Sequence, residues 1–396
     1  MKILLIHNSY QQRGGEDATF ESEYNLLSKG GNDVEKLLFD NKSINSLSDK
    51  ISAGIKNVFN PDSAKIIEEK IISFQPQIIH IHNFFPLVSP SVFFIAKKYK
   101  VPIVITIQNY RLICSGALLY RNGKICEDCV NKTIPLAGII HKCYRNSAVQ
   151  TAAVTFMTSF HKIAGTWKNK VGKYITVAEF GRDKILNSSL GLSEDQVVVK
   201  PNSVEDFGDG DNNREDYFVY IGRIIEDKGI ETLLESLNHF DYKIKIIGDG
   251  PLRGRIEDAA LNNKNIEYLG FRDKQFIINT LKKAKGLIFP TLWYEGLPVT
   301  VIESFSTGTP VIGSNIGAVK LQITDNYNGF HFSPGDAKDL ASRIKYLSDN
   351  EQDLKQLYVN ARNTYLEKYT PEKNYEQLIN IYSDAILNEK EKANKH

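Results

Sequence analysis

A chain of 396 residues, 42% hydrophobic and 24% charged, is long enough for two domains with full cores and too apolar to remain disordered. Its 49 basic residues stand against 47 acidic ones, a formal charge of +2, so no whole-protein field argues for nucleic acid and any anion site must be local. The first apolar run, Ile3 to Ile6, is short for a signal peptide, and no stretch approaches the roughly 20 apolar residues of a membrane span. A cytoplasmic location is expected, with contact at the inner face of the plasma membrane left open.

From the N-terminus, short β-branched runs alternate with amphipathic ones: "KILLIHN", "EDATFESEYNLL", "DVEKLLF", "SAKIIEEKIISF", "PQIIHIH", "PSVFFIAKKY" and "VPIVITIQN". That alternation predicts a parallel α/β sheet. After the first strand, Gly14 and Gly15 precede Glu16 and Asp17 at a helix start, a place where backbone amides can meet an anion. His82 and Asn83 close the strand "IIHIHN"; His80 shares the face of His82, and His82 is preferred as the ligand because it lies nearer the strand's end.

All four cysteines, Cys114, Cys126, Cys129 and Cys143, fall within thirty residues. The two-residue gap between Cys126 and Cys129 lets two thiolates share a tetrahedral ion, which Cys114 and Cys143 would complete as a structural zinc site. Two buried thiols and a surface pair are the other reading. The next helix, "AVQTAAVTFMTSFHKIAGTW", carries Phe156, Phe160, Ile163 and Trp167 with Arg145, His161, Lys162 and Lys168 in or beside it, a pattern that suits either a core face or a membrane surface. "KYITVAE" and "QVVVKPN" end the half, and the polar "NSVEDFGDGDNN" marks a linker, giving a first domain over 1–203. Asp209 and Asp211 in this linker form the lone Asp-x-Asp and are read as solvated rather than metal-bound.

Strand and helix alternation restarts with "YFVYIG" and continues to "TPVIGS", so 204–371 is a second domain of the same kind, and the break at Pro371 lets a helix over 372–390 turn back onto the first. The expected fold is α/β, two Rossmann-like doubly wound domains facing across a cleft, with ligands beyond the carboxyl ends of the strands. Gly222 and Arg223 end one such strand and Lys228 follows at the next helix, two cations suited to a diphosphate. Gly248 and Gly250 in "IIGDGPL" allow a tight turn. In "YEGLPVTVIESFSTGTP", Glu295 precedes a short helix opened by Pro298, and Glu303 rides inside it with no cation three or four residues away. Such a carboxylate either reaches water or takes a partner from elsewhere.

"GRIIEDKG", "IIGDGPL", "YLGF", "YEGLP" with its second Glu, and "GTPVI" resemble, in order and spacing, the C-terminal halves of retaining GT-B glycosyltransferases of family 4 over about 110 residues. The first half resembles that family more loosely, through Gly14-Gly15, "HIHN" and "KPN", and "NYRLIC" through "HKCYR" is similar to a subset from bacterial polysaccharide clusters. The resemblance implies a hexosyltransferase that moves sugar from a UDP- or GDP-sugar to a saccharide or lipid-linked saccharide. Glu295 would bond hydroxyls of the donor sugar and Glu303 the ribose, with amides near Gly296, Leu297 and Pro298 aimed at the diphosphate. Arg223 and Lys228 would clamp the phosphates, so that catalysis needs no cofactor, while Gly15, Gly222, Gly248, Gly250 and Phe271 border the donor. Gly14, Glu16, His82, Asn83, Asn109 and Arg111 fall to the acceptor side. Where the family usually has a His near the reacting sugar this chain has Gln108, which cannot carry a proton charge at neutral pH. A catalytically silent sugar-nucleotide binder and a nucleotide-sugar 2-epimerase are the alternatives.

Overall fold

The computed structural model describes residues 1–9, 14–40, 56–211 and 213–394, so Asn212 of the expected linker lies outside the described residues. The chain forms two compact units: 1–121, 126–200 and 374–396 make the first, 122–125 and 201–373 the second.

The first unit is built on β1 (Lys2–Ser9), β2 (Asp33–Asp40), β3 (Ile78–Asn83), β4 (Ile103–Ile107), β7 (Lys173–Thr176) and β8 (Val197–Val199), while β5 (Tyr120–Arg121) and β6 (Lys124–Ile125) form a small hairpin whose 122–125 stretch is counted with the second unit. The sheet order is β2-β1-β3-β4-β7-β8 with parallel pairs throughout. Helices cover both faces of such a sheet, which is why Ile3, Leu4, Leu5 and Ile6 are all apolar and all fully buried rather than alternating. Helix Pro61–Phe74 shows the local logic: Asn60 Oδ1 accepts from the Asp62 and Ser63 amides, Pro61 opens the first turn, and Ala64, Ile67, Ile71 and Phe74 form its buried stripe. The last helix, Pro371–Asn394, returns to this unit, where Leu378, Ile381, Tyr382 and Ala385 share one core with Ile3, Leu5, Ile78 and Val104.

The second unit holds β9 (Phe218–Ile221), β10 (Ile244–Ile247), β11 (Ile266–Gly270), β12 (Gly286–Phe289), β13 (Val311–Ser314) and β14 (Gly329–Phe332), ordered β11-β10-β9-β12-β13-β14 and parallel. The strand order reverses between β9 and β12, and beyond the carboxyl ends of that pair lies the crevice where a doubly wound sheet takes its ligand. Gly248 keeps this end of the sheet tight. Its φ is +148°, and a Cβ there would stand 1.8 Å from the Gly222 carbonyl oxygen. Any side chain would force apart the ends of β9 and β10, which are joined by Gly222 N–H to Ile247 O at 3.0 Å and Ile224 N–H to Asp249 O at 2.9 Å.

Candidate functional site

At the β9–β12 reversal, Arg223 follows β9 and Lys228 ends a single 3-10 turn, Glu226–Lys228, rather than heading an α-helix as the sequence suggested. Gly229, at φ +74°, then turns the chain into helix Ile230–Ser236. From the end of β12 the chain supplies Thr291, Trp293 and Glu295. One oxygen of Glu295, Oε1, accepts from Lys228 Nζ at 2.5 Å, Trp293 Nε1 at 2.7 Å and Thr291 Oγ1 at 3.1 Å, while the residue is only 8% exposed. Three donors on one oxygen fix the direction of this nearly buried carboxylate. The same ammonium lies 5.6 Å from the Phe289 ring centroid and 5.5 Å from that of Trp293. Arg223 is exposed and forms no ion pair among the described residues. Burial pushes the Asp227 carboxyl above its usual range against the pull of Lys228 and Arg223.

Helix Val299–Ser306 starts one residue after Pro298, which sits before it in an extended conformation instead of occupying its first turn. Glu303 is buried on this helix, and the partner its sequence neighbours could not supply is Lys274, whose ammonium donates to Oε1 from the start of helix Lys274–Lys283. Gly296 is half-buried and Leu297 buried in the loop between the acids. Phe271 follows β11 as an exposed ring, and Arg272 lies over Phe276. Asp209 is not simply solvated: it pairs with Arg362 at 3.2 Å. Thr291, Trp293 and Lys274 were not singled out in the sequence. Trp293, two residues before Glu295, carried a readable signal, whereas the Lys274 pairing depends on how two helices pack.

In the first unit several of the residues assigned to the acceptor have internal partners. His82 faces inward, its Nε2 3.2 Å from Glu23 Oε2 and its side chain fully buried, so it offers a ligand no surface. Asn83 spends its amide on the backbone, donating to Asn8 O at 2.8 Å and accepting from the Phe85 amide at 3.0 Å. The Gly14 amide is likewise engaged, donating to Asp17 Oδ2 at 2.8 Å, while Asp17 Oδ1 stands 2.9 Å from His7 Nε2. Gly15 opens helix Gly15–Lys29. Asn109 donates to Glu16 Oε1 at 2.8 Å and accepts from the Arg111 amide, and the Arg111 guanidinium stacks on Phe85 at 4.5 Å. Gln108, just past β4, keeps a buried Nε2 with no hydrogen-bond partner among the described residues, a donor that a bound ligand could satisfy.

Beneath these residues Lys200, 1% exposed, donates to Glu23 Oε1 at 2.6 Å and Asn374 Oδ1 at 3.1 Å, and His80 bonds Tyr382 and Thr106 at 2.7 Å each. Burial alone would raise the Glu23 carboxyl, but Lys200 and the two histidines hold it well below the usual range. Burial, with His82 adding, holds His80 well below 6.5. Glu23, His80 and His82 are the one group of three among the described residues whose ligand atoms lie within 4.8 Å of one another. The Lys200 ammonium already fills the place of a cation there. The four cysteines are free thiols bordering one cavity, and burial, with Cys114, Cys143 and Cys126 adding, pushes the Cys129 thiol up to about 11.

On helix Ala148–Ile163, Val149, Phe156, Phe160 and Ile163 are exposed, while Trp167 and His161, grouped with them in the sequence, are buried. Trp167 packs on Phe84 and Phe93, and His161 bonds Thr166 Oγ1 and Val58 O. No helix among the described residues is long and apolar enough to cross a membrane.

Two parallel six-stranded sheets with acids and cations at the reversal of the second are the architecture of the GT-B fold, and solved structures agree. A glycosyltransferase from Rickettsia africae superposes with a TM-score of 0.68 at 20% identity, over 97% of this chain and 98% of that one. Anabaena HepE in complex with UDP gives 0.67 at 14% identity, over 97% and 100%. Residues 194–364 match the family model of glycosyl transferases group 1. Among curated proteins, the O-antigen chain mannosyltransferase C of Escherichia coli is 24% identical over 237 residues, 58% of this chain and 62% of that protein. A glycosyltransferase of Methanocaldococcus jannaschii is 26% identical over 230 residues, 57% and 62%. The matched part thus spans 62% of the length of each of these two relatives.

Proposed function

We propose that the chain is a retaining, metal-independent hexosyltransferase of family 4 that moves a sugar from a nucleotide-sugar donor to a saccharide or lipid-linked saccharide acceptor in bacterial surface polysaccharide synthesis. The observation that carries this reading is the set Arg223, Lys228, Glu295 and Glu303 gathered at the strand-order reversal of the second sheet. Arg223 and Lys228 face the diphosphate, Glu295 takes hydroxyls of the sugar, and Glu303 takes the ribose. The bond from the anomeric carbon to the phosphate oxygen breaks with its electron pair passing to the phosphate, whose growing charge the two cations offset. The acceptor oxygen bonds that carbon from the same face, and its proton passes to the departing phosphate oxygen, so no side chain need act as base.

The likeness to a UDP-bound structure and to an O-antigen mannosyltransferase supports the donor class and the pathway class. Membrane contact by the first unit is supported by Phe156, 61% exposed, and Ile163, 69%, on one face of their helix with Ile140 of the helix packed beside it, near Lys142 and Arg145. Phe156→Ser with Ile163→Ser should abolish co-sedimentation with anionic vesicles; unchanged sedimentation refutes the contact.

Gln108 favours one other reading, a binder without turnover. Incubation with UDP- and GDP-sugars, with and without saccharide acceptors, separates the possibilities. A product that keeps the donor's anomeric configuration supports transfer with retention, an inverted product refutes retention, a C2 epimer identifies an epimerase, and saturable binding without product identifies the silent form.

A further inference from the structure

The cysteine segment makes little regular structure of its own. Between Cys114 and Cys143 the backbone forms only the β5–β6 hairpin and the five-residue helix Leu136–Ile140. Stretches of this kind depend on a staple, because they bury too little apolar area to offset the entropy of ordering. Each cysteine is nevertheless fixed by its backbone: the amides of Cys114, Cys126 and Cys143 donate to Tyr110 O, Leu119 O and Gly138 O at 2.8, 2.9 and 3.0 Å, and the Cys129 carbonyl accepts from the Lys132 amide.

Three separate pieces of chain thus bring all four thiols to one cavity of about 20 Å3, which Gly138 and Tyr120 help to line. Gly138 matters because a Cβ there would stand 3.1 Å from Ser115 Oγ and 3.7 Å from Cys129 Sγ, crowding the cavity wall. No three of the four sulfurs lie within the 4.8 Å that the Glu23, His80 and His82 group keeps.

We propose that Cys114, Cys126, Cys129 and Cys143 bind one structural Zn2+ that ties the turn after β4, the hairpin and the helix Leu136–Ile140 into a single body. Soft thiolates select zinc over hard cations, and four protein ligands close the coordination sphere, so the ion does no chemistry on substrate. Binding converts four thiols to thiolates and releases four protons to solvent, with no change of oxidation state. The site is independent of the transferase reading.

The test is elemental analysis of the full chain purified without a metal-affinity tag. One zinc per chain is expected, with Cys126→Ser and Cys143→Ser losing at least tenfold in occupancy and Cys143→His retaining the ion. Should the serine variants fail to fold, cobalt exchange into the native protein gives a second reading: the absorption of tetrahedral cobalt with four thiolates supports the site. Less than a tenth of an equivalent of zinc with four freely titrating thiols, a disulfide found by mass spectrometry under non-reducing conditions, or iron with acid-labile sulfide would each overturn it.

Discussion

Lys228 and Glu295, 67 residues apart in sequence, meet at 2.5 Å beyond the carboxyl ends of β9 and β12. The pair fixes the Lys228 ammonium in place, which in the proposed transfer positions its charge in advance for the leaving phosphate. Lys228→Ala and Arg223→Ala are therefore expected to lower kcat by about 10²–10³, the usual cost of removing one group that stabilises developing charge. Steady-state kinetics with saturating acceptor provide the check, and a change confined to KM would refute the leaving-group role.

Glu303→Ala is expected to weaken nucleotide binding by about 1.5–3 kcal/mol, the worth of one hydrogen bond to a charged group, with the fold intact. Calorimetric titration with UDP and GDP measures it. Lys274→Ala should lower Tm, because it strands a Glu303 carboxylate whose side chain is only 8% exposed, while leaving Glu303 to the ligand. Equal affinity in wild type and Glu303→Ala would remove the ribose role.

Gln108 has a buried amide nitrogen without a partner among the described residues. If a charged donor serves the reacting sugar better than this neutral one, Gln108→His should raise turnover by roughly 10²-fold and make it depend on pH near the imidazole value of about 6.5. A flat rate from about pH 5.5 to 8 with less than a tenfold gain would show that a neutral hydrogen bond suffices.

The buried Glu23–Lys200 pair predicts acid sensitivity in two stages. His80 is held well below 6.5, so as pH falls under that value the unfolded chain takes up a proton the folded one refuses, and stability declines. Glu23 is held well below 4.5, so a second loss begins under that pH. Melting temperatures from pH 8 to 4 should fall in both windows, and His80→Gln should flatten the upper one. Glu23→Gln should cost about 3–5 kcal/mol at neutral pH by stranding the Lys200 charge, whereas the apolar double variant Glu23→Leu with Lys200→Met should cost less. Denaturant titration of both proteins decides.

The two sheets were legible because their strands are short apolar runs with both faces covered and their helices carry a clear stripe, as in Pro61–Phe74. That Arg223 follows a strand and Glu303 rides a short helix was legible because a strand end and a helix start set those positions. Depth was not. In a strand buried on both sides, alternation puts His82 and Asn83 on opposite faces but does not say whether either face opens to a ligand, and both turned to internal partners. Pairings such as Lys274 with Glu303 and Lys200 with Glu23 depend on helix packing across 29 and 177 residues, which no local pattern encodes.

The return of helix Pro371–Asn394 to the first unit makes the second unit, topologically, an insertion within the first. The core around Ile3, Leu5 and Ile78 lacks Leu378 and Tyr382 until the whole second unit has been synthesised, and Lys200 lacks Asn374 for as long. A chain truncated at Lys373 keeps every strand yet leaves His80 without the Tyr382 hydroxyl and exposes one side of the first sheet, so damage at the far terminus should register at the opposite end of the sequence.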